Sequence, residues 1–196
     1  MSAANSRSSI LASIKSNKPP KSDLPEIPLF DENRLDHVTK FEFMVDHTGG
    51  SIFHGKSDDL SEVIGQRFPM AERIMCTPIL KHLLDDRSLV TFEKVEELES
   101  LDLMVIHSKL GVCENGAVWI EENDLEHRIQ PFITKDVLVL LEKNNIVWNM
   151  HEAYERINLK ETGYGVFIAG PSKTADIEKT LVIGAQGALS YHVMLI

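Results

Sequence analysis

The feature that most restricts the fold is a pair of short, almost unbroken apolar runs, YGVFIAG at 164–170 and LSYHVMLI at 189–196. Runs of this length with no polar face are what strands covered on both sides require. SIFHGK (51–56), RIMCTPIL (73–80), SLVTFEK (88–94), DLMVIHSK (102–109), GVCENGAVWIEE (111–122) and VLVLLEKNNIVWN (137–149) are strand-like too, the last with a break expected at Asn144-Asn145. Helical spacing lies between them. Leu35, Val38, Phe41 and Val45 recur near a helical period, and Gly49-Gly50 supply the stop. DDLSEVIGQRF (58–68) reads as a short helix and LKHLLDD (80–86) as a helical turn. Asn149, with Glu152 three positions on, forms a capping pair for HEAYERIN. Strands alternating with short helices predict an α/β domain with a largely parallel sheet.

The segment before this pattern differs. Ile10, Leu11 and Ile14 give residues 1–31 a short helical start; Pro19-Pro20 end it, and Pro25 and Pro28 keep the chain extended. Residues 1–31 read as an arm or tail, with packing on another subunit and fraying both open. The domain proper is expected over 32–196.

Composition narrows the function. A chain of 196 residues, 43% hydrophobic, can bury one substantial core. A net charge of -10, with basic residues scattered except at Arg7, Lys15, Lys18 and Lys21, argues against a nucleic-acid surface. The two cysteines, Cys76 and Cys113, lie far apart, so neither a Cys-ligated iron–sulfur cluster nor a structural zinc site is expected in this chain. No run reaches transmembrane length and no signal-type apolar stretch opens the chain, so a cytoplasmic location with reduced thiols is expected. The eight histidines show no HxH, HxxxH or HExxH spacing, and no metal site is expected.

Two loops carry the candidate chemistry. In GPSKTADIEKTLVIGAQG (170–187), a strand delivers the chain into Gly170, Pro171 and Ser172. Ser172 or Thr174 could cap a following helix, with Asp176 and Glu178 in its first turns. A Walker loop needs glycine before Lys173, and Ser172 stands there. A capped strand–helix junction and a ligand held by the N–H groups of Ser172, Lys173 and Thr174 are the two readings. In KLGVCENGAVWI (109–120), Asn115-Gly116 between apolar runs signals a hairpin. Glu114 before the turn is either exposed or, held against apolar walls, a raised-pKa nucleophile or acid/base. His107 and Lys109 sit close by, Lys109 suited to an anionic ligand. Packing is the default for Tyr191 and His192 in the last strand.

FIAGPSKTADIEKTLVIGAQGALSYHVMLI resembles the closing signature of the lactate-utilisation protein C family, the LUD domain. GVCENGAVWI is similar to its central AETG/AENG segment, and SSILASIK and Gly49-Gly50 match in position. Where the family often has histidine after LV-x-G, this chain has Gln186; a Pro- and His-containing segment is replaced by PFITKDVLVLL with Asp136. The resemblance implies a three-layer, Rossmann-like α/β domain of the NagB/RpiA/CoA-transferase type. It implies a non-cluster subunit that takes part in oxidising L-lactate to pyruvate, with iron–sulfur clusters in separate partner subunits, and binds a small anionic metabolite; homo-oligomers are compatible with it. CENG is also similar to the loop of class I CoA-transferases whose glutamate forms the thioester. That makes a CoA-transferase-like or sugar-phosphate-type enzyme using Glu114 an alternative, beside a regulatory scaffold. The residues expected at the ligand are His107, Lys109, Gly111, Glu114, Asn115, Gly116, Gly170, Pro171, Ser172, Lys173, Thr174, Asp176, Gly184 and Gly187. For the enzyme reading, the ligand is expected between the ENG hairpin and the helix after Thr174, at the carboxyl ends of the strands.

Overall fold

A computed structural model describes residues 3–23, 25–26, 36–84, 89–92, 94–175 and 181–196. The chain divides into two units, 1–33 and 34–196. The first contains helix α1 (Ala3–Ser16), whose Ile10, Leu11 and Ile14 are exposed.

The second unit begins with α2 (His37–His47), capped by the Asp36 carboxylate accepting from Thr39 N–H. Its end is a Schellman closure: Gly49 takes φ +82°, Gly49 N–H reaches Asp46 O, and Gly50 N–H reaches Val45 O. Then come β1 (Ser51–His54), α3 (Leu60–Arg67), β2 (Ile74–Cys76), β3 (Leu103–Ser108), β4 (Gly111–Val112), β5 (Ala117–Glu121), α4 (Gln130–Ile133), β6 (Asp136–Leu141), β7 (Ile146–Val147), α5 (Met150–Arg156), α6 (Leu159–Thr162), β8 (Gly165–Ile168), β9 (Lys173–Ala175), β10 (Leu181–Ile183) and β11 (Ser190–Leu195).

The central sheet runs β1-β11-β6-β3-β2 and every pairing in it is parallel. Alternation along its strands sends successive side chains into two cores. Val137, Val139, Leu141, Tyr191, Val193 and Leu195 join Phe41 and Val45 of α2 and Val118 and Ile120 of β5. Leu138, Leu140, Met194, Leu103 and Val105 join Leu60 and Ile64 of α3 and Phe68 just after it. A smaller mixed sheet, β7-β4-β5-β8, packs its second face through Trp119, Val112 and Val147 on Ala153 of α5. The α/β class and the mostly parallel central sheet are as the alternating pattern predicts.

Several local expectations change. RIMCTPIL gives only three strand residues, because Pro78 opens a 3-10 turn over Pro78–Leu83. The described residues of SLVTFEK form no strand: Leu89 makes one isolated bridge to Ile74, and a 3-10 turn follows at Val95–Ser100. The run 164–170 yields β8, an edge strand of the small sheet, half-buried throughout instead of covered on both faces. The helix expected after Gly170 is absent where described: β9 and β10 pair antiparallel instead. Asp176, like Glu178, lies outside the described residues.

Candidate functional site

The GPSK segment sits at the amino edge of the central sheet. Ser172 N–H donates to Ala188 O at 2.9 Å, just before β11, and Leu189 N–H donates to Lys135 O at 2.7 Å, just before β6. Lys173 Nζ donates to Thr48 O, just before β1. Gly170 takes φ +75°, and a Cβ there would strike Thr48 O, so glycine allows this close crossing. Gly184 N–H closes the base of the hairpin on Ser172 O at 2.9 Å, and a Cβ on Gly187 would lie 3.0 Å from Ser172 Cβ. Pro171 is buried, Thr174 exposed. The Ser172 N–H expected to reach a ligand is therefore committed to the protein, and the segment lies at the amino ends of the strands, not the carboxyl ends.

The other expected residues are placed elsewhere. His107 and Lys109 lie at the carboxyl end of β3. His107 N–H donates to Thr77 Oγ1 at 3.1 Å; Lys109 pairs with Asp124 at 3.0 Å and Glu121 at 3.4 Å. Burial opposes the Lys109 charge, but these two carboxylates outweigh it and raise its pKa. Its charge is thus neutralised within the fold. Gly111 lets β4 approach β6, since a Cβ would lie 2.6 Å from Leu141 Cδ2. The ENG turn packs on α2. Gly116 takes φ +69°, and a Cβ on it would lie only 2.8 Å from the Met44–Val45 backbone. Asn115 Oδ1 accepts from Ala117 N–H. Glu114 is exposed instead of held against apolar walls, and its carboxylate accepts from Met150 N–H at 2.9 Å at the start of α5. Asn149 Oδ1 accepts from Glu152 N–H and Glu152 from Trp148 N–H, so Glu114 joins a capping network.

What the amino edge does gather is a chain of polar groups. Ser51, Ser190, His192 and Asp136 come from β1, β11 and β6, with Ser51 opposite His192 and Ser190 opposite Asp136 in register. The Ser190 hydroxyl donates to Asp136 Oδ1. Its oxygen therefore accepts from His192 Nε2–H at 2.8 Å, which leaves Nδ1 to accept from the Ser51 hydroxyl at 2.5 Å. Phe68, just after α3, meets the imidazole edge-on at 5.0 Å. Burial lowers the His192 pKa, Asp136 opposes that, and Arg67 adds to it, so the ring is neutral near neutrality. Beside it opens a cleft of about 320 Å³, lined by Arg67, Phe68, Asp102, Lys135, Asp136 and His192 among others. Lys135 pairs with Asp102 at 2.5 Å. Burial works against the Asp102 charge, but Lys135 and the N–H groups of Arg73 and Glu72 prevail and hold its pKa below the usual range. The described residues include no group of three His, Cys, Asp or Glu suited to a metal ion, and no helix long and apolar enough to cross a membrane.

The fold and this edge define a class first: a parallel-sheet α/β domain carrying a polar amino-edge cleft. The particular family follows from comparison. Residues 42–196 match the LUD domain, and the chain belongs to that family. It is 30% identical over 110 residues to lactate utilization protein C of Bacillus pumilus (53% of this chain, 46% of that protein). It is likewise 30% identical over 105 residues to lactate utilization protein C of Anoxybacillus flavithermus (53% and 48%). The chain spans about half the length of these curated relatives. In structure it is similar to a DUF162 family protein from Deinococcus radiodurans, with TM-score 0.62, 16% identity, and 81% of this chain and 95% of that one covered.

Sequence reasoning passed over Ser51, Arg67, Asp102, Lys135, Ser190 and His192 as site residues. The available signal was Ser190-x-His192, two polar residues on one face of an apolar strand. Their partners lie in β1 and β6, and no local pattern gives that register.

Proposed function

We propose that this chain is the LUD component of a lactate-utilisation system, acting in the oxidation of L-lactate to pyruvate with separate iron–sulfur subunits. The observation that carries the reading is the LUD match over 42–196, together with the name borne by the relatives. The chain's own residues do not fit an iron–sulfur cluster. Cys76 and Cys113 are buried in different hydrophobic clusters, and a cluster needs several converging thiolates. Electron transfer through clusters accordingly falls to partners in this reading.

Deletion of the gene should abolish or strongly slow growth on L-lactate, and affinity purification from lactate-grown cells should recover cysteine-rich subunits. Normal growth with no such subunits recovered would reject the proposal. The enzyme reading based on Glu114 finds less support, since its carboxylate caps α5. Glu114→Gln keeps an acceptor for Met150 N–H and should complement the deletion fully. Failure of a folded Glu114→Gln protein to complement would restore the Glu114 enzyme.

A further inference from the structure

We propose that the cleft between α3 and the amino edge of the central sheet is a proton-linked binding site for a small carboxylate that also carries a hydrogen-bond donor. The volume, about 320 Å³, lies at the lower end for ligand pockets and suits an acid of a few carbons, not a nucleotide or CoA. Its lining has mixed charge. Arg67 has no carboxylate partner among the described residues, and its guanidinium lies 3.9 Å from the centroid of the Phe53 ring. A guanidinium held over a ring still offers N–H donors in a fork that matches a carboxylate. Lys135 places a second cation on the same cleft.

Asp136 decides the other end of the ligand. Asp136 lines the cleft and its carboxylate accepts from Ser190, so an acid offering only acceptors to it meets repulsion. A hydroxyl can donate to it. Phe68 and Met70 supply apolar surface for the carbon chain. The charged groups around the imidazole are Asp136 from β6 and Arg67 from α3, with Lys135 and Asp102 on the same cleft; β1 faces it with the neutral Ser51 hydroxyl. An anion bound at Arg67 offsets the one cation that lowers the His192 pKa and adds a negative charge beside the ring. His192 then takes up a proton at Nδ1, donates to Ser51 Oγ, and stays joined through Ser190 to Asp136. Because the bound form has the higher pKa, affinity rises as pH falls through that pKa.

The cleft's chemistry stands independently of the lactate-utilisation role, so glycolate is the first probe, with propionate as the acid lacking the hydroxyl. Calorimetry on the full chain, in two buffers of different ionisation enthalpy, should show glycolate binding with Kd on the order of 1 mM. Binding should tighten as pH falls from neutrality into the range where His192 takes up its proton, with net proton uptake. Propionate should bind at least about tenfold more weakly, because Asp136 then lacks its donor. Arg67→Gln, an exposed position, should weaken glycolate about tenfold or more. His192→Gln should remove proton uptake while binding near pH 8 persists. No glycolate binding, undiminished binding in Arg67→Gln, or equal affinity for propionate would overturn the site. Proton uptake surviving in His192→Gln would overturn the linkage; if that variant does not fold, absence of buffer dependence in the parent chain does so. Glycolate binding, with normal growth on deletion and no cysteine-rich subunits recovered, would keep this site and reject the lactate-utilisation role.

Discussion

Single residues fix the two loops to α2. Gly116 combines φ +69° with a Cβ position 2.8 Å from the backbone of Met44 and Val45, so both its torsion and its contact exclude a side chain. Gly116→Ala should destabilise the protein by roughly 1–3 kcal/mol, read by chemical denaturation, and an unchanged midpoint would mean the turn can shift. Asp102 makes a pH prediction. Its folded pKa is depressed, so its stabilisation is fully present above its ordinary value of 3.8 and is lost as pH falls below that. Asp102→Asn should lower stability at neutral pH and shrink the loss on acidification, in melting curves taken across that range. His192 shows the limit of residue-level reading. A histidine in an apolar strand is ordinarily a packing residue, and only its neighbours across the sheet make it part of a hydrogen-bonded chain.

At the scale of elements, the α5 cap and the 170–189 segment teach opposite lessons. The Asn149–Glu152 pair is local, three residues apart, and the sequence announces it correctly. Asn149→Ala should cost about 1 kcal/mol and loosen the Glu114–Met150 tie as well, measurable as faster amide exchange at Met150. The GPSKTADIE stretch carries equally plausible capping residues, yet Lys173–Ala175 pair with Leu181–Ile183 as a hairpin. Thr174, Val182 and Ile183 are β-branched, and the segment is bracketed by Gly170 and Gly184, both at positive φ. Cap signals are short-range; the backbone bonds from Ser172 to Ala188 and from Gly184 to Ser172 bring in residues more than ten positions apart. The described residues of SLVTFEK gain only the isolated bridge from Leu89 to Ile74, since strand-like composition does not by itself supply a ladder of partners.

For the whole molecule, the sheet separates two cores and puts one cysteine in each. Cys113 belongs with Phe41 and Tyr191, and Cys76 with Leu60 and Met194; burial pushes the Cys76 thiol up to about 11. Neither thiol should react with an aromatic disulfide reagent in native buffer, and both should react in one step as denaturant unfolds the chain. Separate midpoints would show that the two faces unfold independently. Local patterning was enough for the α/β class, most strands, α2 with its glycine stop and the α5 cap, because apolar period and capping chemistry act over a few residues. Which residues share a site was settled by tertiary packing. It placed His107 and Lys109 at one end of the sheet and the GPSK segment at the other, and it aligned Ser51, His192, Ser190 and Asp136 across three strands. Strand order and register are set by packing of the whole core, so those neighbours have no trace in any one stretch of the chain.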